Sequence, residues 1–85
     1  MRALGAVQQT VIDVLKEVSR RPIEPTLESD LVADLGFDSL QVMEVLAELE
    51  GRFDIAIPLD EVTATRTVAQ VVARIASLID GRQDA

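Results

Sequence analysis

The chain contains no cysteine and no histidine among its 85 residues. Without cysteine it has neither disulfides nor thiolate metal sites. Without histidine it lacks the usual general base and the usual transition-metal ligand, which excludes a Ser-His-Asp hydrolase. We therefore expect a protein that is not an enzyme, with no catalytic residues and no metal site.

Aromatic residues and long apolar runs are also scarce. The chain has two Phe, no Trp and no Tyr, although 48% of its residues are hydrophobic. Its core must be built from aliphatic side chains, and their helical spacing predicts an all-α fold. No apolar run is long enough to span a membrane, and the N-terminus lacks the apolar segment of a signal peptide. We expect one domain over residues 1–85, with a core at about 3–80, in the cytoplasm.

Basic residues are nearly missing from the middle of the chain. Residues 24–61 contain eleven acidic residues and one basic residue, Arg52, so this segment carries a charge of −10 while the whole chain carries −7. Such a field repels nucleic acid and attracts a partner with a basic rim. The alternative interpretation is that the charge serves solubility alone.

Helical periodicity predicts three main helices and one short helix, which together form a small four-helix bundle with a long first loop. The first helix is expected at about 3–19. Its apolar face comprises Leu4, Val7, Val11, Val14, Leu15 and Val18. The second helix is expected from Ser39 to about Phe53.

The short helix is expected at 59–64. The last helix follows a cap at Thr65 or Thr67, and Gly81 is placed to end it. These two helices complete the predicted bundle.

The first loop, residues 22–37, is longer than a typical helix–helix link, so we expect it to be anchored in the core. Its predicted anchors are Leu27, Leu31 and Leu35. Ser29 is expected to cap a single turn that runs to Asp34. Gly36 then allows a tight backbone path into the second helix.

The most informative motif is Asp34-Leu35-Gly36-Phe37-Asp38-Ser39-Leu40, at the start of the second helix. Asp38 is a good N-cap, because its carboxylate accepts hydrogen bonds from the first unpaired N–H groups of a helix. Ser39 then stands near the positive end of the helix dipole, where an anion attached to its hydroxyl is tolerated best. The alternative interpretation is an ordinary helix start, where Asp and Ser are common.

A second, smaller apolar stripe follows this motif. Leu40, Met43 and Ala47 lie at i, i+3 and i+7, with Glu44 and Glu48 along the edge. Because the helix buries another face, we expect this stripe to lie in water and to serve as a docking surface. The adaptable thioether of Met43 suits several partners. The alternative is that Leu40 and Ala47 are semi-buried beside the other helices.

The motif resembles the attachment site of acyl carrier proteins, where a serine in an Asp-Ser-Leu sequence carries 4′-phosphopantetheine. The segment 53–58 and the pair Thr67-Val68 are similar to that family's second loop and its entry to the last helix. The resemblance implies a four-helix bundle in which a phosphopantetheinyl transferase modifies Ser39, using coenzyme A and magnesium. It also implies that the protein carries an acyl group as a thioester on this arm and that the attached chain folds back between the helices.

The resemblance further implies that the helix after the serine is the main recognition element. The implied cofactor-binding residues are Ser39, Asp38 and Leu40, and the implied partner-binding residues are Met43, Glu44, Ala47 and Glu48. The expected partners are the phosphopantetheinyl transferase and the acyl-loading, condensing or acyl-transfer enzymes. They are expected to dock weakly on the acidic second helix of a monomeric carrier.

Some residues depart from the family's usual pattern. Gln41 stands where carriers of fatty-acid synthesis usually have an acid, and Gly51-Arg52 interrupts a usually acidic stretch. Phe37 before Asp38 resembles the sequence of carriers of polyketide pathways. We therefore expect a specialised, polyketide-type carrier rather than a housekeeping fatty-acid carrier, and the short flanks favour a free-standing one. Two alternatives stay open: an aminoacyl carrier protein, and an unmodified acidic helical module that binds a basic partner.

Overall fold

The computed structural model describes residues 2–58, 60 and 65–84, and of residues 2–4 and 82–84 only the backbone. The helices in these parts are α1 (Arg2–Val18), α2 (Ser39–Phe53) and α3 (Val68–Asp84). No strand occurs in the described ranges, so the all-α prediction is confirmed, and α1 and α2 agree with their predicted bounds to within one residue. The short helix predicted at 59–64 lies outside the described residues, apart from Asp60.

One apolar core joins the three helices and the first loop. Its buried side chains are Val7, Val11, Val14 and Leu15 of α1, Leu31, Leu35 and Phe37 of the loop, Val42, Val45, Leu46 and Leu49 of α2, and Val68, Val71, Val72 and Ile75 of α3. Within each helix these residues recur at helical spacing, so each helix turns one face inward. Full burial of such a side chain contributes about 1.5–3 kcal/mol, and this core holds the bundle together.

The first loop is fixed to the core and to the start of α3. Among its predicted anchors, Leu31 and Leu35 are buried and Leu27 is half-buried. Its segment 27–31 pairs with residues 66–69 through three backbone hydrogen bonds of 2.8–3.0 Å. These bonds surround an isolated antiparallel bridge between Asp30 and Thr67. The loop is therefore anchored at its middle, close to the residues that lead into α2.

The turn in this loop is capped by Asp30, so the predicted cap at Ser29 is wrong. Oδ1 of Asp30 accepts hydrogen bonds of 2.9 and 2.8 Å from the backbone N–H groups of residues 32–33. Oγ of Ser29 instead accepts a hydrogen bond from the N–H of Thr26. The carbonyl of Ser29 is bound by the N–H of Val68. Ser29 thus belongs to the paired segment, and the turn begins one residue later.

The ends of α3 confirm one prediction and overturn another. Oγ1 of Thr67 accepts from the N–H of Gln70 at 3.2 Å, and Oε1 of Gln70 accepts from the N–H of Thr67 at 3.1 Å, so the cap lies at Thr67. The helix continues past Gly81 to Asp84, so the predicted end at Gly81 is wrong. A glycine ends a helix by turning left-handed, and Gly36 alone among the described glycines has a positive φ. Gly81 stays helical, at a cost of about 1 kcal/mol relative to Ala.

Candidate functional site

The start of α2 is held by a reciprocal pair of side-chain hydrogen bonds. Oδ1 of Asp38 accepts from the N–H of Gln41 at 2.8 Å, and Oε1 of Gln41 accepts from the N–H of Asp38 at 3.2 Å. This capping box satisfies two donors that a helix start leaves unpaired. It confirms Asp38 as the N-cap. It also fixes the backbone on both sides of Ser39.

Gly36 and Phe37 direct the chain into this cap. Gly36 has a φ of +75°, and an added Cβ would lie 2.6 Å from Nη2 of Arg21. Glycine adopts this left-handed conformation without the steric cost that other residues meet. Phe37 is 2% exposed and packs in the core. The turn and the buried ring together bring residues 38–40 to the surface.

Ser39 is exposed at the first position of α2. Within the described part of the chain, its hydroxyl has no hydrogen-bond partner, and the backbone N–H groups of Ser39 and Leu40 have no protein acceptor. These N–H groups lie at the positive end of a 15-residue helix, which favours an attached anion by about 0.3–1 kcal/mol at an exposed position. The site therefore offers an accessible hydroxyl with unpaired donors beside it.

Two acids of the first loop, Asp30 and Asp34, stabilise the loop itself. Oδ2 of Asp34 accepts from the N–H of Asp30 at 2.7 Å, and Oδ2 of Asp30 lies 3.5 Å from Nη2 of Arg66. The hydrogen bond from the N–H of Ala33 lowers the pKa of Asp30 below its ordinary 3.8. Partial burial of the carboxylate raises this pKa, whereas the N–H of Val32 and the charge of Arg66 lower it further. Asp34, the first Asp of the motif, therefore stabilises the loop that leads to Ser39.

The outer face of α2, defined here as Leu40, Met43, Glu44, Ala47 and Glu48, lies in solvent. Leu40 is 60% exposed and Met43 is 49% exposed. The alternative that Leu40 and Ala47 are semi-buried beside other helices is therefore wrong. The face places two large apolar side chains and two carboxylates within about two helical turns. Apolar exposure with charged edges is typical of a docking surface.

Two residues that build the site, Gln41 and Phe37, were not assigned these roles from the sequence. Gln41 is 7% exposed and closes the capping box. The sequence did contain a signal for it, because Gln three residues after a capping residue is part of the capping-box pattern. The burial of Phe37 had no comparable signal, since a residue between a glycine turn and an N-cap follows no helical period.

Two open clefts, both bordered by Arg21, lie beside the first loop. One has a volume of about 400 Å³ and is lined by residues 21–24, Ser29, Asp34 and Leu35. The other has a volume of about 330 Å³ and reaches from residues 19–21 to Gln41 at the start of α2. Neither tests the expectation that an attached chain folds back between the helices, which stays a prediction.

The described residues contain neither a membrane-spanning helix nor a cluster of metal-ligating side chains. None of the helices there is long and apolar enough to cross a membrane. No group of three or more carboxylates in the same ranges is placed to hold a metal ion. Near Ser39, the acids instead act as caps or face solvent.

Comparison with known proteins gives one consistent result. The family model described as the phosphopantetheine attachment site matches residues 9–75. The chain is 41% identical over 70 residues to an acyl carrier protein of Amoebophilus asiaticus, covering 81% of this chain and 88% of that one. It is 33% identical over 87 residues to a meromycolate extension acyl carrier protein of Mycolicibacterium aurum, covering 96% and 90%.

A solved structure agrees with these matches. It is a protein of Mycobacterium tuberculosis described as an acyl carrier protein, which superposes with a TM-score of 0.79 at 32% identity, covering 84% of this chain and 96% of that one. The bundle and the exposed serine at a capped helix start define a small helical carrier. The chain belongs to the acyl carrier protein family.

As a member of this family the protein is a carrier rather than a catalyst, and it bears 4′-phosphopantetheine as a covalently attached prosthetic group. Membership implies interaction with a phosphopantetheinyl transferase and with enzymes that handle acyl groups. The predictions of the family, the cofactor and the non-enzymatic role are confirmed.

Proposed function

We propose that Ser39 is the attachment site and that the protein presents an acyl group on the attached arm to partner enzymes. The observation that carries this proposal is the exposed, unpaired hydroxyl of Ser39 at the capped start of α2, inside the segment that matches the family model. When attached, the group supplies a terminal thiol that holds acyl groups as thioesters.

The residues around Ser39 fit this group. In the transfer, Oγ of Ser39 would form a bond to the phosphorus of the phosphopantetheinyl group, the pyrophosphate bond of coenzyme A would break, and 3′,5′-ADP and the hydroxyl proton would be released. The unpaired N–H groups of Ser39 and Leu40 would stabilise the negative charge of the resulting phosphodiester. Asp38 is the acid that precedes Ser39 in the chain, and its carboxylate accepts a hydrogen bond from the backbone N–H of Gln41. Asp38 and Leu40 therefore act at the cofactor site as the cap and the exposed neighbour of the modified serine.

The outer face of α2 is the proposed docking surface for the transferase and for the acyl-loading, condensing or acyl-transfer enzymes. Met43 and Leu40 supply exposed apolar area, and Glu44 and Glu48 supply charge in a segment that is strongly acidic. Such a patch steers a basic partner and supports weak, transient contacts. Because one core joins the helices of the described residues, residues 1–85 are proposed to form one domain. The protein is also proposed to act as a monomer in the cytoplasm.

The proposed pathway is a specialised, polyketide-type one rather than housekeeping fatty-acid synthesis. Gln41, where housekeeping carriers usually have an acid, is committed to the capping box, and Arg52 places a positive charge on the acidic helix. The relative from Mycolicibacterium aurum is named for meromycolate extension. The mass of the group on natively purified protein separates the alternatives, since an amino acid would identify an aminoacyl carrier.

The test of the attachment proposal is intact mass after incubation with coenzyme A, magnesium and a broad-specificity phosphopantetheinyl transferase. Wild type should gain one phosphopantetheinyl group and Ser39→Ala should gain none. Ser77→Ala, at an exposed serine of α3, is the matched control and should be loaded like wild type. Loading of folded Ser39→Ala would overturn the assignment. Failure of folded wild type to be loaded would favour the unmodified interaction module, for which the charge segregation is the supporting observation.

A further inference from the structure

Arg52, in the last turn of α2, binds two carboxylates at once. Its Nη2 lies 2.6 Å from Oε1 of Glu17 on α1, and its Nε lies 3.2 Å from Oε2 of Glu48 on the outer face. The hydrogen bond to Glu48, followed by the charges of Glu17 and Glu48, raises the pKa of Arg52 further above its usual range. The guanidinium of Arg52 is charged at any ordinary pH, and it lies beside Glu48, one of the two acids of the outer face.

Glu44, one helical turn before Glu48, has no such neighbour. Within the described residues its carboxylate forms no ion pair and no side-chain hydrogen bond. The two acids are therefore unequal, because Glu48 shares its charge with Arg52 whereas Glu44 presents a full negative charge to solvent. A cation of a partner that approaches Glu48 meets the repulsion of Arg52 and has to displace it.

We propose that Arg52 is a specificity-determining residue of the docking surface, which withdraws Glu48 from basic partners and leaves Glu44 as the acid that a partner's cation binds. The inference rests on the proposed function, since it requires that the outer face docks the transferase. A carrier with this arrangement disfavours partners that need two adjacent acids. It accepts partners that place one cation opposite Glu44 and apolar side chains opposite Leu40 and Met43.

The test is a double-mutant cycle on the loading rate, with the broad-specificity transferase as the docking probe and the apo form of the full chain as substrate. Arg52→Gln should raise kcat/KM about two- to fivefold at low salt, because it releases the charge of Glu48. The increase should vanish at about 1 M salt, where screening acts within about 3 Å. In the wild-type background, Glu48→Gln should lower kcat/KM less than about twofold. In the Arg52→Gln background, the same substitution should lower kcat/KM about two- to fivefold relative to Arg52→Gln alone.

Two controls separate this effect from other consequences of the substitution. Glu17→Gln removes the negative charge that Arg52 contacts on α1 but leaves Arg52 on Glu48, so kcat/KM should stay within about 1.5-fold of wild type. Lys16→Gln lowers the net charge by one, as Arg52→Gln does, but on α1, and kcat/KM should also stay within about 1.5-fold of wild type. Thermal unfolding of each variant verifies that all of them are folded at the assay temperature.

The outcomes are distinguishable. If wild type is loaded but Arg52→Gln gives no increase, or if Glu48→Gln has the same effect in both backgrounds, the inference is wrong and the carrier function stands. If Glu17→Gln raises the rate as much as Arg52→Gln, the effect comes from the α1–α2 contact, which also overturns the inference. If wild type is not loaded at all, the proposed function fails and the inference fails with it.

Discussion

The inner and outer faces of α2 share one backbone but differ in their surroundings. On the inner face, Val45 and Leu49 are fully buried against the other helices and the loop. On the outer face, Leu40 and Met43 are about half exposed or more, and acids lie beside them. The inner face therefore determines whether the bundle forms, whereas the outer face is available to partners. Stability and docking should respond to different substitutions on the same helix.

The largest expected effect separates the two faces directly. Leu49→Ala removes a fully buried side chain and should lower the free energy of unfolding by about 2–5 kcal/mol, measured by urea denaturation. Met43→Ala, on the outer face, should change it by no more than about 0.5 kcal/mol while lowering kcat/KM for loading at least about fivefold. Comparable destabilisation by both variants would show that Met43 is packed, and the distinction between the faces would be lost.

A smaller effect is expected at the turn that sets the direction of α2. Gly36→Ala forces a side chain into the left-handed region and should cost about 1–2 kcal/mol. Gly51→Ala, inside α2 with open space around it, should instead stabilise by about 0.5–1 kcal/mol. Equal effects of the two alanines in thermal unfolding would contradict a special role of the Gly36 turn.

The smallest effect concerns Asp30, which fixes the first loop beside α2. Its pKa is lowered in the folded state, so its contribution to stability is complete above the unfolded value and is lost as pH falls through the folded value. The advantage of wild type over Asp30→Asn in urea denaturation should thus be constant near neutral pH and shrink below about pH 4. An advantage that grows on acidification would contradict the assigned hydrogen bonds.

Local sequence features were sufficient to predict α2 and its cap. The apolar period, the Asp-Ser start and the preceding glycine all act within a few residues, so the range 39–53 and Asp38 were predicted correctly. The acidic edge of the outer face followed from the same period. These features depend only on residues that are close in the sequence, and local patterns are therefore sufficient to predict them.

Two features that depend on distant contacts were not predicted. Asp30 rather than Ser29 caps the loop turn because Ser29 pairs with the start of α3, and Arg66, which approaches Asp30, is 36 residues away. Arg52 reaches Glu17 across 35 residues. No local pattern indicates which side chains the fold brings together over such separations.

Fragment mass spectrometry of the loaded wild-type protein shows directly whether Ser39 carries the arm. Trypsin should release residues 21–52, since the bond between Arg21 and Pro22 resists cleavage, and Ser29 and Ser39 are the serines in that peptide. The added phosphopantetheinyl mass should map to Ser39. Its location at Ser29, or on any peptide outside 21–52, would show that Ser39 is not the attachment site.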